Sequence, residues 1–264
     1  MSAAAAPVAH PPAVPLRRTP LYGFHMQRQA HLVPFNGWEM PLNYGSILEE
    51  YRAVREAVGL FDVGHMGILT VGGVHAPDLL SRRTTADVGR IVPGQCRYTF
   101  ITEFTGSILD DMLVTRLDAG EGRAVEFLAV PNAGRAGKVT ELLMEHRRPD
   151  TSIAVHNGAV TILAVQGPGS RHLLETTFGW SLEPLRFYHA RFYPASLASS
   201  IPRDGILGAT FPDPQGAAIL VSRTGYTGEL GYELFVRGTD AIAVATRLEA
   251  GGARACGLAA RDHQ

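Results

Sequence analysis

The sequence contains almost no lysine. Of its 24 basic residues, 23 are arginine and only Lys138 is lysine. Arginine keeps its proton and forms no Schiff base, so covalent amine catalysis would depend on Lys138 alone. The neighbours of Lys138, Arg135 to Val139, are typical of an exposed helix. We therefore expect no pyridoxal phosphate, and the missing pattern G-x-x-x-x-G-K-[ST] excludes a nucleotide-binding P-loop.

Cysteine is also scarce, and long apolar runs are missing. Cys96 and Cys256 lie far apart with no C-x-x-C pattern, which excludes a disulfide scaffold and a cysteine-based zinc site. No apolar run approaches the roughly 20 residues that a membrane helix needs. A formal net charge of −1 gives no global attraction to nucleic acid or to an anionic membrane. These features predict a cytoplasmic protein with reduced thiols and neither of those partners.

The 264 residues are 45% hydrophobic and 19% charged, an ordinary composition for a globular protein. The Ala/Pro-rich residues 1–20 are predicted to be a disordered tail, with ordered structure from Leu21. Helical and strand-like patterns then occur in mixed runs without regular βαβ alternation, which predicts an α+β fold.

Local signals predict several of these elements. Ser46-Ile47-Leu48-Glu49 is a capping box that should begin a helix ending at Gly59, and Asn132 should cap a helix running to about Arg147. Other segments are predicted from their periodicity: a helix over Ala76–Arg83, strands over Arg97–Thr102, Ile108–Arg116, Glu126–Val130 and Ala159–Val165, and a hairpin of Ala217–Val221 with Tyr232–Val236.

The pair Asp110-Asp111 interrupts an apolar strand. Alternation along a strand sends adjacent side chains to opposite faces, so one carboxylate should point inward, where it needs a partner or a task. The alternative is a strand-end turn with both acids in solvent, which the spacing alone favours. Because adjacent strand residues should diverge, the pair makes a poor metal site.

Two further groups carry candidate chemistry. Asp62 precedes His65 by three residues, which indicates either a catalytic base with its orienting acid or, more simply, a structural hydrogen bond. The glycines of Gly225-Tyr226-Thr227-Gly228 join two strands and open no helix, which excludes a phosphate loop.

A carboxylate and an arginine near the end of the chain could bind a ligand. Glu233, beyond the glycine-rich loop, could accept two hydrogen bonds from the edge of a pterin or purine, or could be an edge-strand charge. Arg261 could bind a carboxylate or form an internal ion pair, and the spacing leaves both open.

Taken together, these segments resemble the T protein family of the glycine cleavage system, the aminomethyltransferases. The resemblance runs from about Arg18 to Asp262 and rests on motifs in the family's order. They are Thr19-Pro20-Leu21-Tyr22, Phe35-x-Gly37-Trp38-x-Met40-Pro41 with Tyr44-Gly45, Gly59-Leu60-Phe61-Asp62-Val63-Gly64-His65-Met66, Gly106-x-Ile108-Leu109-Asp110-Asp111, Ala164-Val165-Gln166-Gly167-Pro168, Gly225-Tyr226-Thr227-Gly228-Glu229 with Gly231-Tyr232-Glu233, and Gly257-Leu258-Ala259-Ala260-Arg261-Asp262.

The resemblance implies a reaction and roles for three residues. Family members release ammonia from an aminomethyl group on the lipoyl arm of H protein and pass the one-carbon unit to tetrahydrofolate, without a metal or pyridoxal phosphate. Asp111 matches the family's catalytic aspartate, Glu233 its pterin-binding glutamate and Arg261 a folate-contacting arginine. Tyr98 and Tyr226 lie in matching motifs without an assigned role.

The resemblance also implies an architecture. It predicts a folate-binding domain from residues 21–62 and 155–264, interrupted by an inserted α/β domain over 63–154. Family members continue into a C-terminal barrel domain, so we expect this chain to lack that domain. Two substitutions depart from the family pattern, Gly64 for a usual Ser and Thr105 for a Gly.

Three alternatives to this function remain. One is a folate-dependent demethylase of the same superfamily, which would keep the folate-binding glutamate. Another is a non-catalytic folate-binding relative, although its K-G-C-Y-x-G-Q-type motif is missing from the sequence. The last is a folded fragment without activity.

Overall fold

The chain is built on β-sheets with helices packed against them. The computed structural model describes residues 15–117, 125–194 and 218–262. The helices of these residues are α1 (Tyr22–Gln27), α2 (Ile47–Glu56), α3 (Ala76–Arg83), α4 (Ala136–His146), α5 (Ser170–Phe178), α6 (Ala241–Ala250) and α7 (Leu258–Asp262). The strands are β1 (His31–Phe35), β2 (Trp38–Asn43), β3 (Gly59–Asp62), β4 (Leu69–Gly72), β5 (Cys96–Thr102), β6 (Ile108–Arg116), β7 (Glu126–Pro131), β8 (Ser152–Val155), β9 (Val160–Gln166), β10 (Ala190–Pro194), β11 (Ala218–Ser222), β12 (Gly231–Arg237) and β13 (Arg254–Ala255).

Two large sheets organise these strands. One has the order β10-β11-β12-β9-β3-β13 and the other the order β5-β6-β7-β4-β8, while β1 and β2 form a separate hairpin. All neighbours in the large sheets are antiparallel except β13 and β3. The five-stranded sheet comes entirely from the segment between β3 and β9, two neighbours in the six-stranded sheet. The predicted domain boundaries at 62/63 and 154/155 stay a prediction.

The apolar run of β9 shows how the sheets pack. Leu163 and Val165 join a core with α5 and α6, whereas Ile162 and Ala164 face a second core shared with the five-stranded sheet. The period-two alternation of a strand puts consecutive residues into different cores. The six-stranded sheet is therefore covered on both faces here, which accounts for the apolar run of β9.

Backbone hydrogen bonds join the two sheets directly. The Cys96 amide donates to the Tyr188 carbonyl at 2.8 Å, and the Ala190 amide donates to the Gly94 carbonyl at 2.7 Å. Because these bonds involve main-chain groups at the starts of β5 and β10, they fix the strands relative to one another whatever the side chains are. The junction brings the ends of the two sheets to one place.

Most predicted elements lie within a few residues of the observed ones, but the helix signals were only partly right. Ser46 caps α2 by accepting from the Glu49 amide at 3.3 Å, while the Glu49 carboxylate pairs with Arg254 and does not reach back. The helix ends at Glu56, and Gly59 begins β3, so the predicted end was wrong. The backbone between these residues turns before Gly59.

Order also begins earlier than predicted. Residues 1–14 of the predicted tail lie outside the described residues. The later tail residue Arg17 exchanges backbone hydrogen bonds with Gly37 and Glu39 at 2.9 and 2.8 Å. Thr19 is buried against Asp62, so this part of the tail prediction is wrong. Hydrogen bonds to the β1–β2 hairpin order this segment, although its Ala/Pro-rich composition predicts disorder.

The unusual Gly64 has a steric cause. A Cβ at this position would lie 2.0 Å from the Oγ1 of Thr161, far inside van der Waals contact. Thr161 is fully buried, and its hydroxyl has no hydrogen-bond partner among the described residues. The space that a Ser side chain would need at residue 64 is therefore taken by the Thr161 side chain.

We expect Gly64→Ala to lower the free energy of unfolding by about 1–3 kcal/mol, the usual cost of overpacking a core. Adding Thr161→Ala should recover part of that loss, because it removes the clashing atom. Urea unfolding of the four proteins of this double-mutant cycle measures the coupling.

Gly137→Ala is the matched control, because a Cβ at this helical position meets nothing within 4 Å. It should be neutral or stabilising by up to about 1 kcal/mol. Additive effects of Gly64→Ala and Thr161→Ala would contradict the steric explanation.

Candidate functional site

Asp111 lies on the β5–β6 hairpin, partly exposed at the edge of the five-stranded sheet. Its Oδ2 accepts a hydrogen bond from the Tyr98 hydroxyl at 3.0 Å, and its Oδ1 accepts one from Asn132 Nδ2 at 3.0 Å. A carboxylate offers about four lone-pair directions, so two donors leave capacity for a further donor. The geometry therefore holds the carboxylate in place without saturating it.

Asn132 draws both acids of the pair together. Its backbone amide and Nδ2 donate to the two carboxylate oxygens of Asp110 at 2.8 and 3.0 Å, in addition to the bond to Asp111. Asn132 directly follows Pro131, the last residue of β7 to pair with β6, so it lies past the ladder and within reach of both acids. The expectation that adjacent carboxylates diverge was wrong at this point.

The buried member of the pair has a structural role. Asp110 is 8% exposed and uses both oxygens on Asn132, which satisfies its burial. The fully solvated alternative is therefore wrong for Asp110, and the less buried Asp111 keeps the freer carboxylate. Asn132 was predicted as a helix cap, but α4 begins at Ala136 and the Asn132 side chain binds the acids instead. A polar residue ending an apolar strand opposite an acidic pair was the signal available in the sequence.

Glu233 lies in the interior of the six-stranded sheet. Its strand β12 runs between β11 and β9, and Glu233 is 5% exposed, so the edge-strand alternative is wrong. The Thr224 hydroxyl donates to its Oε2, and Ser222 Oγ lies 2.9 Å from the same hydroxyl oxygen. Burial raises the pKa of Glu233, and the Thr224 hydrogen bond opposes this only in part. An ionised carboxylate here would gain from further N–H donors.

Tyr226 lies in the neighbourhood of both carboxylates. Burial raises the pKa of Tyr226, and the nearby charges of Glu233 and Asp111 raise it further. Tyr98 and Tyr188 lie in the same neighbourhood, and Tyr188 has a left-handed φ of +55°. Asp111 from one sheet and Glu233 from the other thus both lie near enough to Tyr226 for their charges to act on its hydroxyl. The backbone hydrogen bond between Cys96 and Tyr188 ties the two sheets together beside this group.

Gln166 holds the loop that carries Tyr226. Its Oε1 accepts from the Thr227 hydroxyl at 2.8 Å, and its Nε2 donates to the Thr224 and Tyr232 carbonyls at 3.4 Å. A Cβ on Gly225 or on Gly231 would lie 2.2 Å from the same Oε1. The glycines of this loop therefore make room for a buried amide, which explains their spacing without a phosphate ligand.

Asp62 is paired with a residue that the sequence did not single out. Its Oδ2 accepts from His25 Nε2 at 2.8 Å and from Thr19 Oγ1 at 2.5 Å, and its Oδ1 accepts from the Gly64 amide at 2.8 Å. Burial acts to raise the pKa of Asp62, but these hydrogen bonds outweigh it and hold that pKa below its ordinary value. The opposite nitrogen of His25 meets the Tyr44 hydroxyl at 2.7 Å.

His65 is separate from this network, so the predicted Asp62–His65 hydrogen bond is wrong. Its Nδ1 is buried without a hydrogen-bond partner among the described residues, and its ring packs edge-on against Phe35 at 5.4 Å between centroids. Burial lowers the pKa of His65 to about 4, so the ring is neutral at pH 7. The turn at Val63 and Gly64 directs the two side chains apart.

Arg261 lies on α7 and lines a pocket that also contains Asp62, Gln166 and Tyr226. Its guanidinium carbon is 5.8 Å from the centroid of the Phe35 ring. The pocket is mostly apolar, with walls from β3, β9, the Tyr226 loop and residues 256–261. Tyr226 belongs both to this pocket and to the neighbourhood of Asp111 and Glu233, so the three residues singled out in the sequence border one region.

The described residues offer neither a metal-binding cluster nor a membrane span. Among residues 15–117, 125–194 and 218–262, no group of three or more His, Cys, Asp and Glu side chains is placed to hold a metal ion. Within the same ranges, no helix combines the length and the apolar character needed to cross a membrane.

We expect the stability of the Glu233→Gln variant to increase relative to that of the unsubstituted chain as the pH rises. A glutamate whose pKa is raised by folding binds its proton more tightly in the native state. The stability that this proton gives to the native state is therefore lost as the pH rises from the ordinary glutamate pKa of 4.5 through the raised pKa of Glu233. The amide introduced by the substitution still offers Thr224 an oxygen. Denaturant unfolding between pH 5 and pH 8 measures the difference.

Glu229→Gln is the matched control on the same loop, because Glu229 is partly exposed and pairs with Arg55 at 2.7 Å. Its stability relative to the unsubstituted chain should not rise with pH. Parallel pH profiles for Glu233→Gln and the unsubstituted chain would contradict the assignment of a raised pKa to Glu233.

Sequence comparison relates this geometry to known proteins. Residues 21–200 match the family described as the GCVT N-terminal domain. An aminomethyltransferase of Symbiobacterium thermophilum is 38% identical over 256 residues, which cover 94% of this chain and 62% of that protein. The aminomethyltransferase of Streptomyces coelicolor is 38% identical over 252 residues, covering 94% and 61%. The chain thus spans about 62% of the length of the curated relatives it matches.

Two solved structures are similar to this chain. The glycine cleavage system aminomethyltransferase T from Bartonella henselae matches with a TM-score of 0.77 at 30% identity, covering 94% of this chain and 61% of that one. A heterotetrameric sarcosine oxidase from Corynebacterium sp. U-96 matches with a TM-score of 0.52 at 17% identity, covering 89% of this chain and 94% of that one. The second likeness, at this identity, concerns the fold alone.

Proposed function

The chain belongs to the aminomethyltransferase family defined by the GCVT N-terminal domain, and we propose that it transfers a one-carbon unit to tetrahydrofolate. The donor would be the aminomethyl group on the lipoyl arm of H protein in the glycine cleavage system. The products would be ammonia, the reduced lipoyl thiol and 5,10-methylenetetrahydrofolate. Family membership confirms the predicted α+β aminomethyltransferase-like fold.

The observation that supports this proposal best is that Asp111 and Glu233, from two different sheets, both lie near Tyr226, whose pKa their charges raise. The two carboxylates come from different sheets and different parts of the sequence. A one-carbon transfer between two amines needs one group that orients the acceptor and one that stays near the reacting nitrogens. Holding both in one geometry removes much of the entropic barrier to the reaction.

Asp111 is proposed as the catalytic residue. Tyr98 and Asn132 each bind one of its oxygens, which fixes the carboxylate toward a donor arriving from the open side. That donor would be a folate or aminomethyl N–H, whose nitrogen the carboxylate would hold and polarise. A preoriented charge of this kind costs no reorganisation when charge develops in the transition state.

Glu233 and Arg261 are proposed to bind tetrahydrofolate. A pterin presents adjacent N–H donors that match the two oxygens of a carboxylate, and such donors would stabilise the ionised form of the buried Glu233. Arg261, at the far side of the Tyr226 pocket, would pair with a carboxylate of the folate. The apolar walls of the pocket would limit the access of water to the bound ring.

The likeness to sarcosine oxidase, at 17% identity, concerns the fold alone and supplies no observation for a second candidate function. The chain spans about 62% of the length of its relatives. The proposed function is therefore tested first by tetrahydrofolate binding and then by the rate of ammonia release.

We expect Glu233→Gln to weaken tetrahydrofolate binding by about tenfold or more, the loss of one charge-assisted hydrogen bond. Glu229→Gln should bind like the unsubstituted chain. Isothermal titration calorimetry under reducing, oxygen-free conditions measures the affinities. Equal affinities for all three proteins, or no binding to any of them, would contradict the proposed folate site.

We expect Asp111→Asn to lower the rate of ammonia release from aminomethylated H protein by about 10²–10⁴-fold, while folate affinity changes little. The amide keeps the size of the side chain but loses its charge. Asp87→Asn is the control, because Asp87 is exposed and pairs with Arg90 on the surface. An Asp111→Asn variant with full activity would overturn the catalytic assignment.

A further inference from the structure

Another pocket, lined mainly by polar side chains, lies on the five-stranded half of the molecule. It has a volume of ≈170 Å³ and is formed by one face of α3 together with the end of α4 and the residues that follow. It shares no residue with the pocket of Arg261. We call it the α3–α4 pocket, and its basic residues are His75, Arg82, Arg83, His146 and Arg148.

Helical spacing produces this basic face. His75 precedes the first residue of α3, Leu79 follows it by four, and Arg82 and Arg83 follow by seven and eight. Side chains at these intervals share one side of a helix. Leu79 is buried and forms the floor, whereas the basic groups surround the opening.

Arg83 is held in place without a carboxylate. Its guanidinium carbon lies 4.0 Å from the centroid of the Phe104 ring, and the ring of His146 meets the same Phe104 edge-on at 4.9 Å. Among the described residues, Arg83 makes no ion pair, and its Nε is buried without a hydrogen-bond partner. Phe104, 77% exposed on the β5–β6 turn, therefore fixes the positions of two basic side chains.

The two other arginines of the pocket share one carboxylate of its lining. Asp78 accepts from Arg82 Nε at 2.9 Å and lies 3.8 Å from an Arg148 nitrogen. Another Arg148 nitrogen is 3.3 Å from the His75 ring, whose other partner is Asp150 at 3.4 Å. The lining thus holds three guanidiniums and one carboxylate, so the guanidiniums keep donor capacity for an anion.

We propose that the α3–α4 pocket binds the phosphate group of a small molecule. Donors reach the cavity from three directions, namely α3, the end of α4 and the segment after it. A tetrahedral phosphate can accept from all three, whereas a planar carboxylate presents two oxygens in one plane. The planar forks of Arg82, Arg83 and Arg148 suit such an anion better than point charges would.

Binding of inorganic phosphate to the whole chain tests this proposal. We expect phosphate to raise Tm relative to sodium chloride of equal ionic strength, because a ligand that binds the native state stabilises it. The ³¹P resonance of phosphate should also broaden in the presence of the protein. Arg83→Gln and, separately, Arg148→Gln should weaken phosphate binding by about tenfold or more.

Each variant is compared with itself in chloride, so a change in basal stability from the lost Phe104 contact does not affect the result. Arg90→Gln is the matched control, because Arg90 is exposed on the same half of the molecule and pairs with Asp87 outside the pocket. It should bind phosphate like the unsubstituted chain.

Two outcomes would overturn the proposal. Equal phosphate effects in Arg83→Gln, Arg148→Gln and the unsubstituted chain would place binding elsewhere. Stabilisation by acetate equal to that by phosphate would show a response to charge without recognition of a tetrahedral group. Loss of phosphate binding in the pocket variants with normal tetrahydrofolate affinity would support a site independent of the proposed folate site.

Discussion

The candidate site depends on the backbone hydrogen bonds that tie the two sheets together near Cys96 and Tyr188. Asp111 and Tyr98 belong to one sheet, and Glu233 belongs to the other. A small rotation between the sheets would separate the carboxylates, because each is fixed to its own strand. Because these hydrogen bonds join main-chain groups, they do not depend on which side chains are present. The junction therefore sets the relative position of the two sheets, and with it the positions of the site residues.

Buried charge is handled in three different ways around this junction. Asp110 is buried with both of its oxygens bound by Asn132, and Asp62 is held ionised by His25, Thr19 and a backbone amide. Glu233 receives only partial compensation, and its pKa is raised by burial. The first two acids stabilise the native arrangement, whereas the third carries a cost that a ligand with N–H donors would remove. Functional groups commonly show this kind of incomplete satisfaction.

Local sequence was sufficient for elements whose signals are local. The helix over Ala76–Arg83 and the hairpin strands of residues 96–116 follow from periodicity, and the structure has them close to the predicted bounds. The errors concern contacts between distant segments. His25 lies 37 residues from Asp62, the partner it binds, and nothing in the spacing of either residue indicates the pair. The same holds for Asn132, whose sequence context is typical of a helix cap.

The sequence by itself determined the family, the α+β class and the candidate residues Asp111, Glu233 and Arg261, because motifs in order and alternating apolar residues are properties of the chain alone. Only the tertiary structure decided that Asp110 is the buried acid of the pair and that β12 is an interior strand. It also showed that the loop glycines accommodate Gln166 and that Gly64 yields its space to Thr161. These facts depend on which strands become neighbours. That choice is made by long-range packing, which no local pattern encodes.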